Sequence, residues 1–203
     1  MTRPAASEST CDRIVGAAKD EFARHGIAGA RVDRIAKSAR TSKERVYAYF
    51  RSKEDLYRVV RAQQFAAVAE ATRMDPADLP GYVGRVHDYF AAHPDTYRLM
   101  AWGQLELDSA EQSADESFQQ AVAGKVDQLR RAQAAGQLDP AWDPLDVLVL
   151  LNQIAASWAD KPDLCAAVPA PQRADYLAAR RAAVVTAVQR LFPSASGPSE
   201  RTP

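Results

Sequence analysis

The sequence predicts an all-α protein of about nine helices, in which a three-helix head with a helix-turn-helix precedes a larger helical bundle. Three observations lead to this prediction. Alanine is abundant, whereas glycine and the β-branched residues that favour sheets are sparse. Apolar residues recur at intervals of three and four along most of the chain. Several of these periodic segments open with Ser or Thr and carry Asp or Glu three residues later, which is the capping-box pattern of helix starts.

The first predicted helix begins after Ser9, whose hydroxyl is expected to form a capping box with Asp12. Apolar side chains then follow at helical spacing as far as Phe22. Gly26 is expected to end this helix, because a glycine just past the last periodic residue suits the left-handed conformation that closes a helix. The next segment, RVDRIAKSA at 31–39, repeats the apolar pattern for only about two turns. The head therefore starts with one long and one short helix.

A third helix is predicted to start within three residues of the second, because Thr41 and Glu44 form a capping box before the segment SKERVYAYF. Ser52 and Asp55 form another box, which opens a long fourth helix. Two short amphipathic helices joined by so tight a turn must cross steeply, with the first helix as their apolar floor. Residues 1–56 are therefore predicted to be a helix-turn-helix domain.

Residues 57–192 are predicted to form a second, purely helical domain, and residues 193–203 a disordered tail. The segment DPADLPG after Met74 has the composition of a loop and separates the fourth helix from the rest. Five further helices are expected at about residues 80–93, 94–107, from Phe118 to a stop at Gly136, 143–158 and 172–192.

The formal net charge of zero conceals an uneven distribution of charge. Residues 1–60 carry 13 Lys and Arg and 8 Asp and Glu, a net charge of +5, and the remaining residues carry −5. Between residues 31 and 53, eight basic residues stand against only Asp33 and Glu44. A basic quarter joined to an acidic remainder predicts that the first domain binds a polyanion and that the second domain has another task.

The second helix of a helix-turn-helix lies in the major groove of DNA, and its N-terminal residues meet the base edges. In this sequence those residues are Ser42, Lys43, Glu44 and Arg45. Arg45 or Lys43 is expected to contact guanine, and Glu44 to accept a hydrogen bond from the amino group of cytosine.

Two further residues are expected to contact the DNA backbone. Tyr47 can extend its hydroxyl to a phosphate, and Lys53 lies at the N-terminus of the fourth helix, where free amides already favour an anion. The alternative is that the tyrosines are partly buried core rings and the basic residues a solvated face. This alternative stays open above all for Tyr49, which is also a candidate DNA contact.

The segment from Ile14 to Val60 resembles the DNA-binding domain of the TetR family of bacterial transcriptional regulators. The resemblance rests on a combination of motifs: FARHG at the end of the first helix, IA in the second, VYAYF in the third and SKEDL at the start of the fourth. It implies an all-α homodimer that represses a neighbouring promoter until a small molecule changes the spacing of its two DNA-binding heads. By position, the resemblance implies DNA contacts for Ser42, Lys43, Arg45, Tyr47 and Lys53.

The sequence departs from the family pattern at two positions. Arg31 stands where the family commonly has a threonine that caps the second helix, which leaves that cap in question but adds a candidate phosphate contact. Arg40 stands where a glycine is usual in the turn, so it is expected to accept a strained backbone if the usual positive φ is retained.

The second domain is expected either to be structural or to hold a small molecule. Ligand sites are mostly apolar with a few polar groups, and Asn152 is notable because an amide in an otherwise apolar helix needs a partner. The candidate pocket residues are Tyr89, Phe90, Tyr97, Met100, Trp102, Phe118, Asn152 and Trp158.

The helix expected at residues 143–158 is apolar on nearly every side, which is more surface than one chain can bury on one face. Pairing it with the last helix across a two-fold axis would bury the excess in a four-helix arrangement. The sequence therefore predicts a homodimer. Its expected interface residues are Leu148, Leu151, Ala155, Leu177, Val184 and Val188.

No uninterrupted apolar run approaches the roughly 18 residues of a membrane span, and the N-terminus lacks the apolar core of a signal peptide. The protein is therefore expected in the cytoplasm, with no membrane partner. Cys11 and Cys165 are far apart and are expected to be buried free thiols. Neither a cofactor nor a metal site is expected.

There are two alternative functional classes. An enzyme would have to use His87 with Asp88 or His93 with Asp95, but adjacent residues on a helix point apart and no nucleophile motif accompanies them. The second alternative is a DNA-binding regulator without a small-molecule ligand, whose second domain serves only dimerisation or a protein partner. The prediction is a DNA-binding regulator that responds to a small molecule of unknown identity and is not an enzyme.

Overall fold

The computed structural model describes residues 9–108, 116–159, 161, 163, 164, 167, 169 and 172–193. The regular structure of these residues is helical throughout, which confirms the all-α fold class. The α-helices of the described residues are α1 (Thr10–Gly29), α2 (Val32–Ser38), α3 (Lys43–Tyr49), α4 (Lys53–Ala71), α5 (Leu79–Ala92), α6 (Pro94–Glu106), α7 (Glu116–Ala134), α8 (Pro144–Ala156) and α9 (Arg173–Leu191). A 3-10 turn at Pro76–Asp78 precedes α5. Cys165 and residues 194–203 of the expected tail lie outside the described residues.

The described chain packs as two compact units. The first comprises the described residues of 1–66 and 95–116, and the second those of 67–94 and 117–203. The first part of α4 therefore packs with the N-terminal helices, and so does most of α6. The expected domain boundary after residue 56 stays a prediction. None of the described helices is both long enough and apolar enough to cross a membrane.

The core of the first unit joins the inner face of α1 to α2, α3 and α4. Ile14 and Phe22 of α1 and Ile35 of α2 are fully buried. The ring of Phe22 meets Tyr57 of α4 edge-on, with 5.2 Å between the ring centres. The Tyr57 hydroxyl donates a hydrogen bond of 2.7 Å to the carbonyl of Leu99 in α6. Burial raises the pKa of Tyr57 to about 12, so this hydroxyl keeps its proton at neutral pH.

The N-terminal caps of the first unit follow the sequence pattern closely. The capping box between Ser9 and Asp12 is present in both directions, which confirms the predicted start of α1. The Ser9 hydroxyl and amide lower the pKa of Asp12 by hydrogen bonding to its carboxylate. At α3 the cap is Ser42 rather than Thr41, because the Ser42 hydroxyl accepts a hydrogen bond from the amide of Arg45. The expected box of Thr41 with Glu44 was thus wrong by one residue.

The start of α4 differs from the expected box in one partner. The Ser52 hydroxyl accepts a hydrogen bond from the Asp55 amide at 3.0 Å, as expected. The Asp55 carboxylate, however, accepts from the amide of Arg51 at 3.1 Å instead of from Ser52. The cap therefore reaches one residue further towards α3.

Gly26 does not end α1 but bends it. Its φ of 69° and ψ of −177° interrupt the helical backbone, and one further turn follows as far as Gly29. The positive φ that the sequence indicated is therefore present, although the helix continues beyond it. The kink matters because the last turn of α1 is held by residues of α6.

The core of the second unit forms where α5 packs against α8 and α9. Tyr82 and Val83 of α5 are buried at this contact. The predicted stop of α7 at Gly136 is confirmed, because Gly136 has a φ of 71°. Its amide and that of Gln137 bond back to Gln133 and Ala132 at 2.9 Å, which is the Schellman arrangement of a helix C-terminus.

Five of the six residues expected at a subunit interface belong to the core of the single chain. These five are between 0 and 4% exposed: Leu148, Leu151, Ala155, Val184 and Val188. A side chain without exposed surface adds none to a contact between chains, so they are corrected to core residues. Helix α8 is apolar on nearly every side, so its sequence pattern did not show which face packs in the core and which faces outward. Leu177 is 42% exposed and keeps the expected outward position.

Candidate nucleic-acid interface

The turn between α2 and α3 is closed by a Schellman motif with an arginine in the position usually held by glycine. The amide of Thr41 bonds to the carbonyl of Ala36 at 2.9 Å, and the amide of Arg40 to that of Lys37 at 3.2 Å. Arg40 has a φ of 53°, which is the left-handed conformation that the sequence led us to expect. This strained residue sets the tight angle at which α3 leaves α2.

Helix α3 has one buried side and one exposed side. Val46 is 1% exposed, and Phe50 at the C-cap is 6% exposed, so both hold the helix against the core. Tyr47 and Tyr49 are 46% and 45% exposed, so about half of each side chain is accessible, and the role of Tyr49 as a DNA contact stays a prediction. The guanidinium of Arg45 lies over the ring of Tyr49, at 5.7 Å from its centre. The two side chains therefore form one exposed surface of cation and aromatic ring.

The first turn of α3 carries both a cation and an anion at the surface. The hydroxyl of Ser42 caps the helix at 3.2 Å from the amide of Arg45, so its first role is structural. The Glu44 amide and the Ser42 hydroxyl bond to the Glu44 carboxylate and lower its pKa. Glu44 is therefore a stable hydrogen-bond acceptor next to Arg45.

Lys43 forms an ion pair with Asp33 of α2, with 3.2 Å between Nζ and Oδ1. Both side chains are well exposed, at 47% and 70%. Exposed pairs of this kind contribute only about 0–1 kcal/mol, so a phosphate or a base can compete for the lysine at low cost. The ion pair holds Lys43 at the surface and leaves it available to a phosphate or a base.

Lys53 has a structural task that the sequence did not suggest. Its ammonium donates hydrogen bonds to the carbonyls of Ala28 and Ala30, at 3.2 and 3.4 Å. These carbonyls follow the kink in α1, where the backbone leaves helical hydrogen bonding. Lys53 thus ties the start of α4 to the end of α1, and its remaining N–H is free to point outward.

Arg31 precedes α2 without a side-chain cap, as the departure from the family pattern led us to expect. The missing cap is compensated by Glu21 of α1, whose carboxylate accepts from the Arg31 amide at 2.9 Å and from Arg34 Nε at 2.7 Å. Burial alone would raise the pKa of Glu21, but the hydrogen bonds from Arg34 and Arg31 and the charge of Arg34 outweigh it and lower that pKa. In the sequence, Glu21 is marked only by its place directly beside the apolar Phe22, which does not indicate these partners.

The candidate DNA-contact residues all lie in the first unit, and all but one are exposed. The exposed ones are Arg31, Ser42, Lys43, Glu44, Arg45, Tyr47 and Tyr49, and Lys53 is partly buried. Exposed cations, a carboxylate and two phenol hydroxyls on and around α3 provide the donors and acceptors that base edges and phosphates require.

The candidate pocket residues are divided between the units. Tyr97, Met100 and Trp102 belong to the first, and the other five belong to the second: Tyr89, Phe90, Phe118, Asn152 and Trp158. Trp102 Nε1 donates to the carbonyl of Ala23 at 3.3 Å, which is a structural contact. Asn152 has the partner that an amide in an apolar helix requires, since its Oδ1 lies 3.1 Å from the Tyr82 hydroxyl.

Trp158 belongs to an aromatic group in the second unit. Its ring meets Tyr176 edge-on, and the guanidinium of Arg180 lies over both rings, at 5.1 and 4.7 Å from their centres. A small cavity of about 50 Å³ lies elsewhere in this unit, and none of the candidate pocket residues lines it. Such a volume holds a water molecule or two rather than an organic ligand. Its lining residues are Leu138, Asp139, Trp142, Val147, Leu191, Phe192 and Pro193.

Two family models match the chain. The model described as "Bacterial regulatory proteins, tetR family" matches residues 14–60. The model described as "Tetracyclin repressor-like, C-terminal domain" matches residues 78–190. Together they cover the helix-turn-helix and most of the second unit.

Relatives and solved structures agree with these matches. The transcriptional repressor SCO4008 of Streptomyces coelicolor is 41% identical over 152 residues, which are 75% of this chain and 79% of that protein. The repressor NicS of Pseudomonas putida is 31% identical over 106 residues, covering 49% of this chain and 50% of NicS. The crystal structure of the transcriptional regulator SCO4942 of S. coelicolor is 59% identical, with a TM-score of 0.78 over 91% of this chain and 99% of that one.

Proposed function

The chain belongs to the TetR family of bacterial regulators and is a DNA-binding transcriptional regulator rather than an enzyme, and we propose that it is a repressor that a small molecule releases from a palindromic operator. The relatives SCO4008 and NicS are both named transcriptional repressors, which supports repression as the output. Because its target is chromosomal DNA, we propose that it works in the bacterial cytoplasm.

One observation carries the proposed mode of DNA binding. Helix α3 buries Val46 and exposes Arg45, Tyr47 and Tyr49. In a helix-turn-helix this exposed side enters the major groove, where an arginine is suited to the two acceptors of guanine. Arg45 is therefore proposed to select a base, and Tyr47 and Lys43 to contact phosphates beside it.

The proposed homodimer rests on the outer faces of α8 and α9. Leu145 and Val149 are four residues apart on α8 and are 48% and 49% exposed, and Leu177 on α9 is 42% exposed. Exposed apolar residues at this spacing form a stripe that a second copy of the same helices can cover. A two-fold dimer would place two copies of α3 about 34–36 Å apart, which is one turn of B-DNA.

The first experiment selects binding sites from a random pool of duplex DNA with the purified full-length protein. The expected result is an inverted repeat with half-site centres about 10 base pairs apart or somewhat more. Light scattering should give twice the mass of one chain. A monomer, or a pool without enrichment at low salt, would overturn the proposed mode of binding.

The second experiment tests release by a small molecule. The recovered operator is immobilised with bound protein and exposed to fractionated extracts of small metabolites. Release by one fraction, reversed when that fraction is removed, supports a ligand-controlled repressor. If no fraction changes operator affinity, the alternative of a regulator without a small-molecule ligand is favoured.

A further inference from the structure

Three polar side chains from three helices meet at the edge of the core of the second unit, where Tyr82 is buried, Lys125 is partly buried and Asn152 is exposed. The hydroxyl of Tyr82 on α5 lies 3.1 Å from Nζ of Lys125 on α7 and 3.1 Å from Oδ1 of Asn152 on α8. Tyr82 is 1% exposed, so its hydroxyl is a fixed point in the core. The lysine and the amide are therefore both held within hydrogen-bond distance of one buried oxygen.

Lys125 occupies a position on α7 that would suit an apolar residue. It follows Phe118 by seven residues and Val122 by three, and it precedes the fully buried Leu129 by four. These intervals define one face of a helix, and Val122 packs against the core of the unit. The lysine stem thus runs along the core, and the ammonium lies over the Tyr82 ring at 5.1 Å from its centre.

The charge of Lys125 is not neutralised by the described part of the chain. Its contacts there are the neutral hydroxyl and the ring of Tyr82. In contrast, Arg181 of the same unit binds Asp88 through both carboxylate oxygens, at 2.9 and 2.8 Å. A cation that is partly withdrawn from water and lacks a carboxylate partner favours an anion from solution.

The cluster leaves several hydrogen-bond donors unused. The Tyr82 hydroxyl accepts from Lys125 and therefore donates its own proton to Asn152 Oδ1. This fixes the amide of Asn152 with its NH₂ group turned away from the tyrosine. Two N–H groups of Lys125 and two of Asn152 remain. A carboxylate has two oxygens, accepts without donating and carries one negative charge, so it matches this set.

We propose that Lys125 and Asn152, positioned by Tyr82, bind the carboxylate of a small organic acid. The proposal rests on the proposed function, because it assigns a chemical class to the small molecule that releases the repressor. Val122 and Val126 beside the lysine are only partly buried and pack on the core, so they offer apolar surface to the body of the acid. Inorganic phosphate is a poorer match, since no arginine takes part in the cluster.

Calorimetric titration of the full-length protein with matched pairs of acids and amides tests the proposal. The probes are benzoate and octanoate, each compared with its uncharged primary amide. The wild-type protein is expected to bind at least one acid about 10-fold or more tightly than its amide. Lys125→Gln is expected to weaken binding of the acid by about 10- to 100-fold and to leave the amide unchanged. Asn152→Ala and Tyr82→Phe are expected to weaken binding of the acid by smaller factors.

Two variants serve as controls. Lys161→Gln removes a lysine of the same unit that is exposed and outside the cluster, so acid binding should stay at the wild-type level. Lys125→Arg keeps the charge and should retain most of the preference for acid over amide. Circular dichroism and thermal melting establish that each variant folds. If Lys125→Gln does not fold, the ratio of acid affinity to amide affinity in Lys125→Arg and Asn152→Ala tests the site instead.

Four outcomes would overturn the site: neither acid binds, the amides bind as tightly as the acids, Lys125→Gln binds acid like the wild type, or inorganic phosphate alone binds. Operator release is measured in parallel with the same proteins. Acid binding that depends on Lys125 without any change in operator affinity leaves the site standing and refutes its role in release. Release by a metabolite that is insensitive to Lys125→Gln supports the proposed function and refutes the site.

Discussion

Glu106 accepts a hydrogen bond from the backbone amide of Ala28 at 2.6 Å, although 78 residues separate them in the sequence. The end of α6 thereby holds the last turn of α1, just beyond the kink at Gly26. Trp102 of the same helix donates to the carbonyl of Ala23, on the other side of the kink. Helix α6 is thus attached to the DNA-binding helices by hydrogen bonds on both sides of a single glycine.

Gly26→Ala is expected to lower the free energy of unfolding by about 3 kcal/mol. A backbone with φ of 69° and ψ of −177° costs an alanine roughly 1–3 kcal/mol, and the new methyl would overlap the Glu106 carboxylate and lie 3.1 Å from the Trp102 ring. Gly16→Ala is the matched control, because Gly16 is exposed and, apart from its chain neighbours and the backbone of its own helix, no atom lies within 4 Å of the added methyl. It should raise stability by about 0.5–1 kcal/mol. Urea unfolding of both variants measures the difference, and equal effects would contradict the role of the kink.

Arg40→Gly is expected to stabilise the protein by about 1 kcal/mol. A left-handed φ of 53° costs a residue with a side chain about 1–2 kcal/mol, and the greater freedom of glycine in the unfolded chain offsets part of the gain. Arg40→Ala removes the same charge but keeps the strain, so it should leave stability near the wild-type value. Thermal melting of the two variants separates strain from charge. A gain in Arg40→Ala equal to that in Arg40→Gly would show that charge repulsion, not the backbone, is the cause.

Glu21 is expected to make stability depend on pH in the acid range. Folding lowers its pKa from the ordinary value of 4.5, because Arg34 and the Arg31 amide bond to the carboxylate. Its contribution to stability is therefore complete above about pH 4.5 and is lost as pH falls through the lower, folded pKa. Glu21→Gln should cost about 1–3 kcal/mol at pH 7, and this deficit should shrink below about pH 4.5. Urea unfolding across pH 3–7 measures both quantities.

The control for this pH dependence is Glu70→Gln. Glu70 forms an exposed ion pair with Arg73 one helical turn away, with side chains that are 73% and 77% exposed. Exposed pairs contribute about 0–1 kcal/mol, so this variant should follow the wild-type profile. A deficit in Glu21→Gln that stays constant from pH 7 to pH 3 would show that the lowered pKa is not its cause.

The local chemistry of the head was readable from the sequence because each signal involves neighbours in the chain. The capping box of Ser9, the positive φ of Gly26 and the exposed side of α3 all depend on residues within one or two turns, whereas the positive φ of Arg40 was implied by the family resemblance. The role of Glu21 was missed, because its partners lie 10 and 13 residues away on another helix. A carboxylate next to a buried phenylalanine does not reveal such partners.

The second unit was less predictable for the same reason. Helix α8 is apolar on nearly every side, so periodicity predicted its existence but not which side faces the core, and Leu148 and Leu151 were assigned outward. Lys125 passed unnoticed because one cation in an apolar stripe is usual for a lysine whose head reaches water. Only the position of the Tyr82 hydroxyl beside it distinguishes this lysine.

Arg45 and Lys53 are expected to affect DNA binding in different ways. The Arg45 side chain is exposed, and within the described part of the chain its contact is the Tyr49 ring, so Arg45→Ala should keep stability. It should relax the preference at one base pair of the operator by about 1–3 kcal/mol. Lys53→Ala should weaken binding to all sequences alike and reduce the salt slope by roughly one unit. Gel-shift titrations at several salt concentrations, on the operator and on single-base variants, measure both effects.

Lys53→Ala also removes the donor to Ala28 and Ala30, so it should lower the free energy of unfolding by about 1 kcal/mol. This loss must be separated from a lost phosphate contact, because a loosened end of α1 would weaken DNA binding indirectly. A phosphate contact removes one released counterion and so changes the salt slope, whereas a change in fold stability alone lowers affinity at every salt concentration by the same factor. Lys161→Ala controls for a simple loss of positive charge. It should change neither the affinity for DNA nor the salt slope. If Lys53→Ala lowers affinity without changing the slope, Lys53 acts on DNA only through the end of α1.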